Sequence, residues 1–100
     1  MKDCMNLMNL AKQSLSIVSS AKMKDDEIKM WIEAGKEDLL SQGINIELNS
    51  PLIQSAIIMY VKANFGNVDI KEKELSKKTY NLLCNNLSLR NEYRVVDNNA

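Results

Sequence analysis

The sequence predicts an all-α protein, a small bundle of about four helices with an irregular C-terminal tail. Helix-forming residues dominate, and no segment alternates polar and apolar residues long enough to make a half-buried strand. Glycine, serine and proline signals then cut the chain into separate apolar-periodic segments. One hundred residues suffice for a single domain. A chain of that size buries only about 60 to 65% of its unfolded surface, so help from partner subunits is expected.

The first helix is expected from about residue 3 to 15, where Met5, Leu7, Met8, Ala11 and Leu15 share one face. Serines in "SIVSSAKMKDDE" compete for backbone hydrogen bonds and mark a loop, after which Asp25 or Asp26 can cap the next helix. That second helix spans about residues 26–41. Ile28, Ile32, Gly35 and Leu39 line its inner face with Trp31 beside them, and Lys29, Glu33, Lys36 and Glu37 turn outward. Asp25, Asp26 and Glu27 complement the positive end of its dipole, Gly35 suits a close helix approach, and Gly43 suits the left-handed stop.

Ser50 and Pro51 give the sharpest boundary, an N-cap followed by a proline whose missing N–H is not needed at the first helical position. The third helix, about 51–65, is apolar nearly all round and belongs at the centre, with part of its surface expected to meet another chain. Tyr60 and Phe65, five residues apart, point about 140° from each other on a helix. Tyr60 is expected inward with Ile53, Ala56 and Ile57, and Phe65 at the helix end where Gly66 turns the chain. After "GNVD" a fourth helix is expected over 70–87 with Leu75, Leu82, Leu83 and Leu87 inward and Glu74 paired with Lys78 outside. The helical domain is thus 1–88. Residues 89–100 lose periodicity and are expected to be extended or disordered until a partner orders them.

Little catalytic chemistry is available. The chain has no histidine, and so lacks the commonest general base, nucleophile activator and metal ligand. Its acidic pairs, Asp25–Asp26–Glu27 and Glu37–Asp38, lie at helix ends and faces, and its isolated glycines form no phosphate-cradling loop. Cys4 and Cys84 lack the spacing of a metal or redox pair and read as free thiols. No catalytic, cofactor-binding or metal residue is assigned. Thirteen basic and thirteen acidic side chains cancel, which disfavours a phosphate-backbone binder. A helix-turn-helix reading fails because the connector over 42–50 is too long and the third helix would offer Ile and Leu to the groove. The N-terminus lacks the continuous apolar core of a secretory signal, and no run is long enough to span a membrane, so residence in the cytoplasm is the expectation. The candidate partner-interface residues are Trp31, Phe65, Arg90, Tyr93 and Arg94, all of them aromatic or arginine.

The ordered series "DDEIKMWIEAGKEDL", "SPLIQSAIIMYVKANFG" and "KKTYNLLCNNLSL", followed by a tail tyrosine, resembles the head-tail connector (head-completion adaptor) proteins of tailed bacteriophages and prophages over residues 24–93. The resemblance implies a structural adaptor subunit, not an enzyme and without a cofactor, that forms a ring of about twelve copies. Such a ring docks on the portal protein at the virion neck and offers a platform to a stopper or tail-completion protein, with DNA only passing through its channel. It also implies structural roles for Asp25, Asp26, Pro51, Leu52, Tyr60, Phe65 and Gly66, a portal contact around Tyr93, and synthesis in the host bacterial cytoplasm. Gly35 departs from the alanine expected of the family at mid-helix. The other reading is a small helical regulatory or DNA-associated protein that dimerises through the third helix.

Overall fold

A computed structural model of the chain describes residues 2–17, 22–48, 50–66 and 68–95, with side chains from Leu7 onward. Four helices follow in order, α1 (Lys2–Ser14), α2 (Asp25–Ser41), α3 (Pro51–Asn64) and α4 (Ile70–Ser88), and a 3-10 turn covers Asn91–Tyr93. No strand forms among the described residues, only an antiparallel bridge between Ile44 and Arg94.

The helix ends follow from local chemistry. α1 stops with Ser16 in the left-handed region, φ 62°, as the Ile17 amide bonds Lys12 O at 2.8 Å and the Ser16 amide bonds Gln13 O at 3.1 Å. α2 stops by the same device. Gly43 has φ 83°, and the amides of Ile44 and Gly43 return to Leu39 O and Leu40 O at 3.1 and 2.9 Å. At the start of α3 the Ser50 hydroxyl accepts from the Leu52 amide at 3.2 Å beside Pro51, as expected. Asp69 does the same for α4 through the Lys71 amide, also at 3.2 Å.

The start of α2 departs from expectation, for neither Asp25 nor Asp26 caps it and the N-cap residue, Lys24, makes no side-chain bond. Asp25 instead takes the Lys12 ammonium at 2.7 Å. Lys12 lies on the inner face of α1 with Leu7 and Ala11 and is buried, so a carboxylate that reaches it contributes more than one more bond to an exposed amide.

α3 is the central element and packs on α1, α2 and α4. Ile53, Ala56, Ile57, Ile58 and Val61 are buried, Leu52, Met59 and Tyr60 are half-buried, and only Pro51 and Ser55 of this helix are exposed. Most of its apolar surface is therefore covered by its own subunit, and what is left is the partial exposure of Leu52, Met59 and Tyr60 and a cleft against α1 lined by Leu10, Ile58 and Met59. Gly35 lets α2 approach α3, since a Cβ there would meet Tyr60 at 3.2 Å, which accounts for glycine where the family resemblance suggests alanine.

α4 is rotated from its expected orientation. Its buried residues are Ser76, Tyr80, Cys84 and Leu87, whereas Leu75 and Leu82 are 62% and 66% exposed. Leu83 is half-buried. The tail is irregular, as expected, and is tied to the α2–α3 connector as far as Val95. Asn45 donates its amide to Tyr93 O at 2.7 Å, and the Val95 amide bonds Gly43 O at 2.8 Å. Residues 96–100 lie outside the described part of the chain.

Candidate interaction surfaces

Two side-chain clusters stand out, and neither has the form of a catalytic site. In the first, Tyr60 on α3 lies between Trp31 on α2, with ring centroids 6.3 Å apart, and Tyr80 on α4, 5.2 Å away edge to face. The Tyr80 hydroxyl donates to Asp38 Oδ2. Gln42 Nε2 donates to the same carboxylate at 3.0 Å and to Cys84 Sγ at 3.6 Å. Asp38 thus joins α2 to α4 around the central helix, a role that its place beside Glu37 on a charged face did not suggest.

The electrostatics of this cluster oppose reactivity. Burial, followed by its bond to Asp38, pushes the Tyr80 hydroxyl far above the ordinary tyrosine range. Burial likewise raises the Cys84 thiol, against the weaker pull of hydrogen bonds from Tyr80 and Gln42. Neither group is activated as a nucleophile or base at neutral pH. The shallow cleft beside them, about 320 Å³ and lined by Asp38, Tyr60, Asn64, Lys77 and Tyr80 among others, has its only carboxylate already committed. No group of three or more potential metal ligands occurs among the described residues, and no helix there is long and apolar enough to cross a membrane.

In the second cluster Glu27 Oε2 accepts from Trp31 Nε1 at 3.4 Å and from the Gly66 amide at 3.1 Å. It fastens the last turn of α3 to the first turn of α2. Sequence reasoning gave Glu27 only a dipole role; the signal for more was its spacing of four from Trp31, which puts both on one side of the helix.

The five candidate interface residues do not form one surface. Phe65, the extended C-cap of α3, is 1% exposed and belongs to the core of its own subunit, so it presents no ring to a neighbour. Trp31 is half-buried against Tyr60. Tyr93 packs on the core at the α2–α3 connector, and beside it Arg94 is exposed and donates from Nη1 to Ser88 O at 3.0 Å. Arg90 is exposed. Gly66 bonds at Glu27 and the tail bonds at Gly43, sixteen residues along, so the two ends of α2 separate Phe65 from the tail by roughly 24 Å. Of the five, Arg90 and Arg94 remain exposed, and the surface also carries exposed apolar side chains on α2 (Met30, Leu40) and α4 (Leu75, Leu82).

Comparison with curated proteins and with solved structures returns no match. Residues 7–94 match the family described as phage connector protein, from the first buried leucine of α1 to the bridged arginine of the tail, and the chain therefore belongs to this family of structural components of the phage neck.

Proposed function

We propose that the chain is a non-enzymatic adaptor subunit that assembles into a ring at the head-tail junction, docks on the portal and offers its other side to the next neck or tail component. The observation that carries this reading is the outward face of α4. A bundle whose core is already closed holds Leu75 and Leu82 in solvent, and large apolar side chains repeated along one outer helix face mark a protein contact. Family membership supplies the setting, and the absence of an activated side chain in either cluster fits a structural part. Arg90 and Arg94, exposed beside the packed Tyr93, supply the portal contact, because arginine at a surface end can fork onto carboxylates without a large apolar area.

Mass measurement on the purified protein, alone and with a portal assembly, tests the ring. A multi-subunit species in at least one setting is expected; a single subunit or a simple dimer in both would refute it. Changing Arg90→Ala together with Arg94→Ala should abolish portal docking while leaving helical circular dichroism intact, and undiminished docking would remove these residues from the contact.

A further inference from the structure

We propose, resting on the ring-forming reading above, that the outer face of α4 in one copy docks on the outer face of α2 in the next. On α4, Lys71, Leu75, Lys78, Leu82, Asn85 and Leu89 follow one another at steps of four and three, and all six are exposed. Seven residues return a helix to within about 20° of its starting direction, so they form one continuous row. That row faces away from the buried side of the helix, where Ser76, Tyr80, Cys84 and Leu87 meet α3.

A second row has the same spacing. On α2, Asp26, Met30, Glu33, Glu37 and Leu40 are also four and three apart and exposed, Met30 and Leu40 by 51% and 50%. The four-three repeat is the pattern by which two helices interdigitate side by side. The two rows differ in chemistry in the way a pair must. The α4 row alternates leucine with two lysines and an asparagine, and the α2 row sets methionine and leucine among three carboxylates. Glu33 of the α2 row pairs with Lys36 beside it at 3.6 Å, Glu72 is engaged with Lys62 at 3.2 Å, and the exposed Lys29 and Glu74 flank the α2 and α4 rows, so Asp26 and Glu37 carry the α2 row's charge toward a neighbour.

The complementary charge identifies the occupant as a second copy of this chain. Two α4 rows facing each other would oppose lysine to lysine, as two α2 rows would oppose carboxylates, whereas α4 on α2 pairs ammonium with carboxylate around an apolar seam. Because the rows lie on different helices, each subunit gives one and receives the other. Such a head-to-tail contact propagates around a ring.

The test uses full-length protein, with mass measured alone and with a portal assembly. Leu75→Glu with Leu82→Glu disables the α4 row, and Met30→Lys with Leu40→Lys disables the α2 row. Each variant alone should remain a single subunit, and a mixture of the two should give only a one-to-one pair joined through the surviving rows. Lys71→Glu with Lys78→Glu should weaken assembly about tenfold or more, and adding Glu33→Lys with Glu37→Lys in the same chain should restore it, since the charge pairs are re-formed with reversed sign. These changes lie on exposed positions, and unchanged helical circular dichroism confirms the fold. Variants that assemble like the parent chain would overturn the α4–α2 contact and leave the ring standing. A parent chain that stays a single subunit in both settings would overturn the ring, and this contact with it.

Discussion

α3 and α4 lie side by side and use their hydrophobic residues in opposite ways. α3 is apolar on nearly every face and leaves only Pro51 and Ser55 largely exposed, whereas α4 is largely polar and holds two leucines mostly in water. The difference is one of position. A central helix has neighbours all round, so its composition is consumed by its own subunit; a flanking helix has one covered face, and apolar residues elsewhere on it are left for another chain.

The largest expected effect separates the two helices directly. Phe65→Ala, at the end of α3, should lower unfolding stability by about 3–5 kcal/mol in denaturant titration, while Leu82→Ala on the outer face of α4 should stay within about 0.5 kcal/mol. A large loss at Leu82 in the isolated subunit would break the contrast. Next comes the polar contact that closes α1 against α2. Asp25→Ala leaves the buried Lys12 ammonium without this carboxylate and should cost about 3 kcal/mol, near the low end for a buried pair because Asp25 is 29% exposed. Lys12→Met, which fills the same space without charge, should cost distinctly less. Equal losses would show that the charge adds nothing there.

Gly35→Ala sharpens the picture of α3. Helix propensity favours alanine by about 1 kcal/mol, but the new Cβ would press on the Tyr60 side chain, and overpacking of a tight contact costs about 1–3 kcal/mol. A net loss of about 1 kcal/mol is expected, and a gain would mean that Tyr60 yields freely. The smallest effect concerns the inner face of α4. Cys84 and Tyr80 hold their protons more tightly folded than unfolded, so the stability they contribute is complete below the ordinary thiol value of about 9. It should fall as pH rises through that value, and further as unfolded tyrosines ionise above about 10. Cys84→Ala should remove the first part of this decline in thermal melts between pH 8 and 10; an unchanged profile would exclude the thiol as its source.

Several features were legible in advance because they depend on only a few neighbouring residues. Ser50 with Pro51 and Gly43 set helix ends through bonds to amides and carbonyls no more than five positions away, and these stand where expected. The central place of α3 was legible for a similar reason, since a helix apolar on most faces has nowhere else to go. Lys12 was a signal passed over: a charge on the apolar face of α1 requires a partner, and Asp25 is that partner.

The candidate site was much less legible. α4 carries two rows at helical spacing, one through Leu75 and Leu82 and one through Tyr80, Cys84 and Leu87, and periodicity alone favours the one richer in leucine. α3 chose the other. Tyr80 could reach both the Tyr60 ring and the Asp38 carboxylate, and no leucine could satisfy that pair. The tail's backbone bonds to Gly43 and Asn45 were not legible either, because they leave no mark on side-chain pattern.

By itself, then, the amino-acid order determined an all-α chain, the approximate limits of its helices and the central place of the third. These depend on local geometry and on the chemistry of the residue types present. Only the tertiary structure decided which face of α4 is inside, where Phe65 and Tyr93 are placed, and that Asp38 and Glu27 bind helices together. Those outcomes depend on which groups from distant parts of the chain arrive within bonding distance, and no spacing along one helix encodes that.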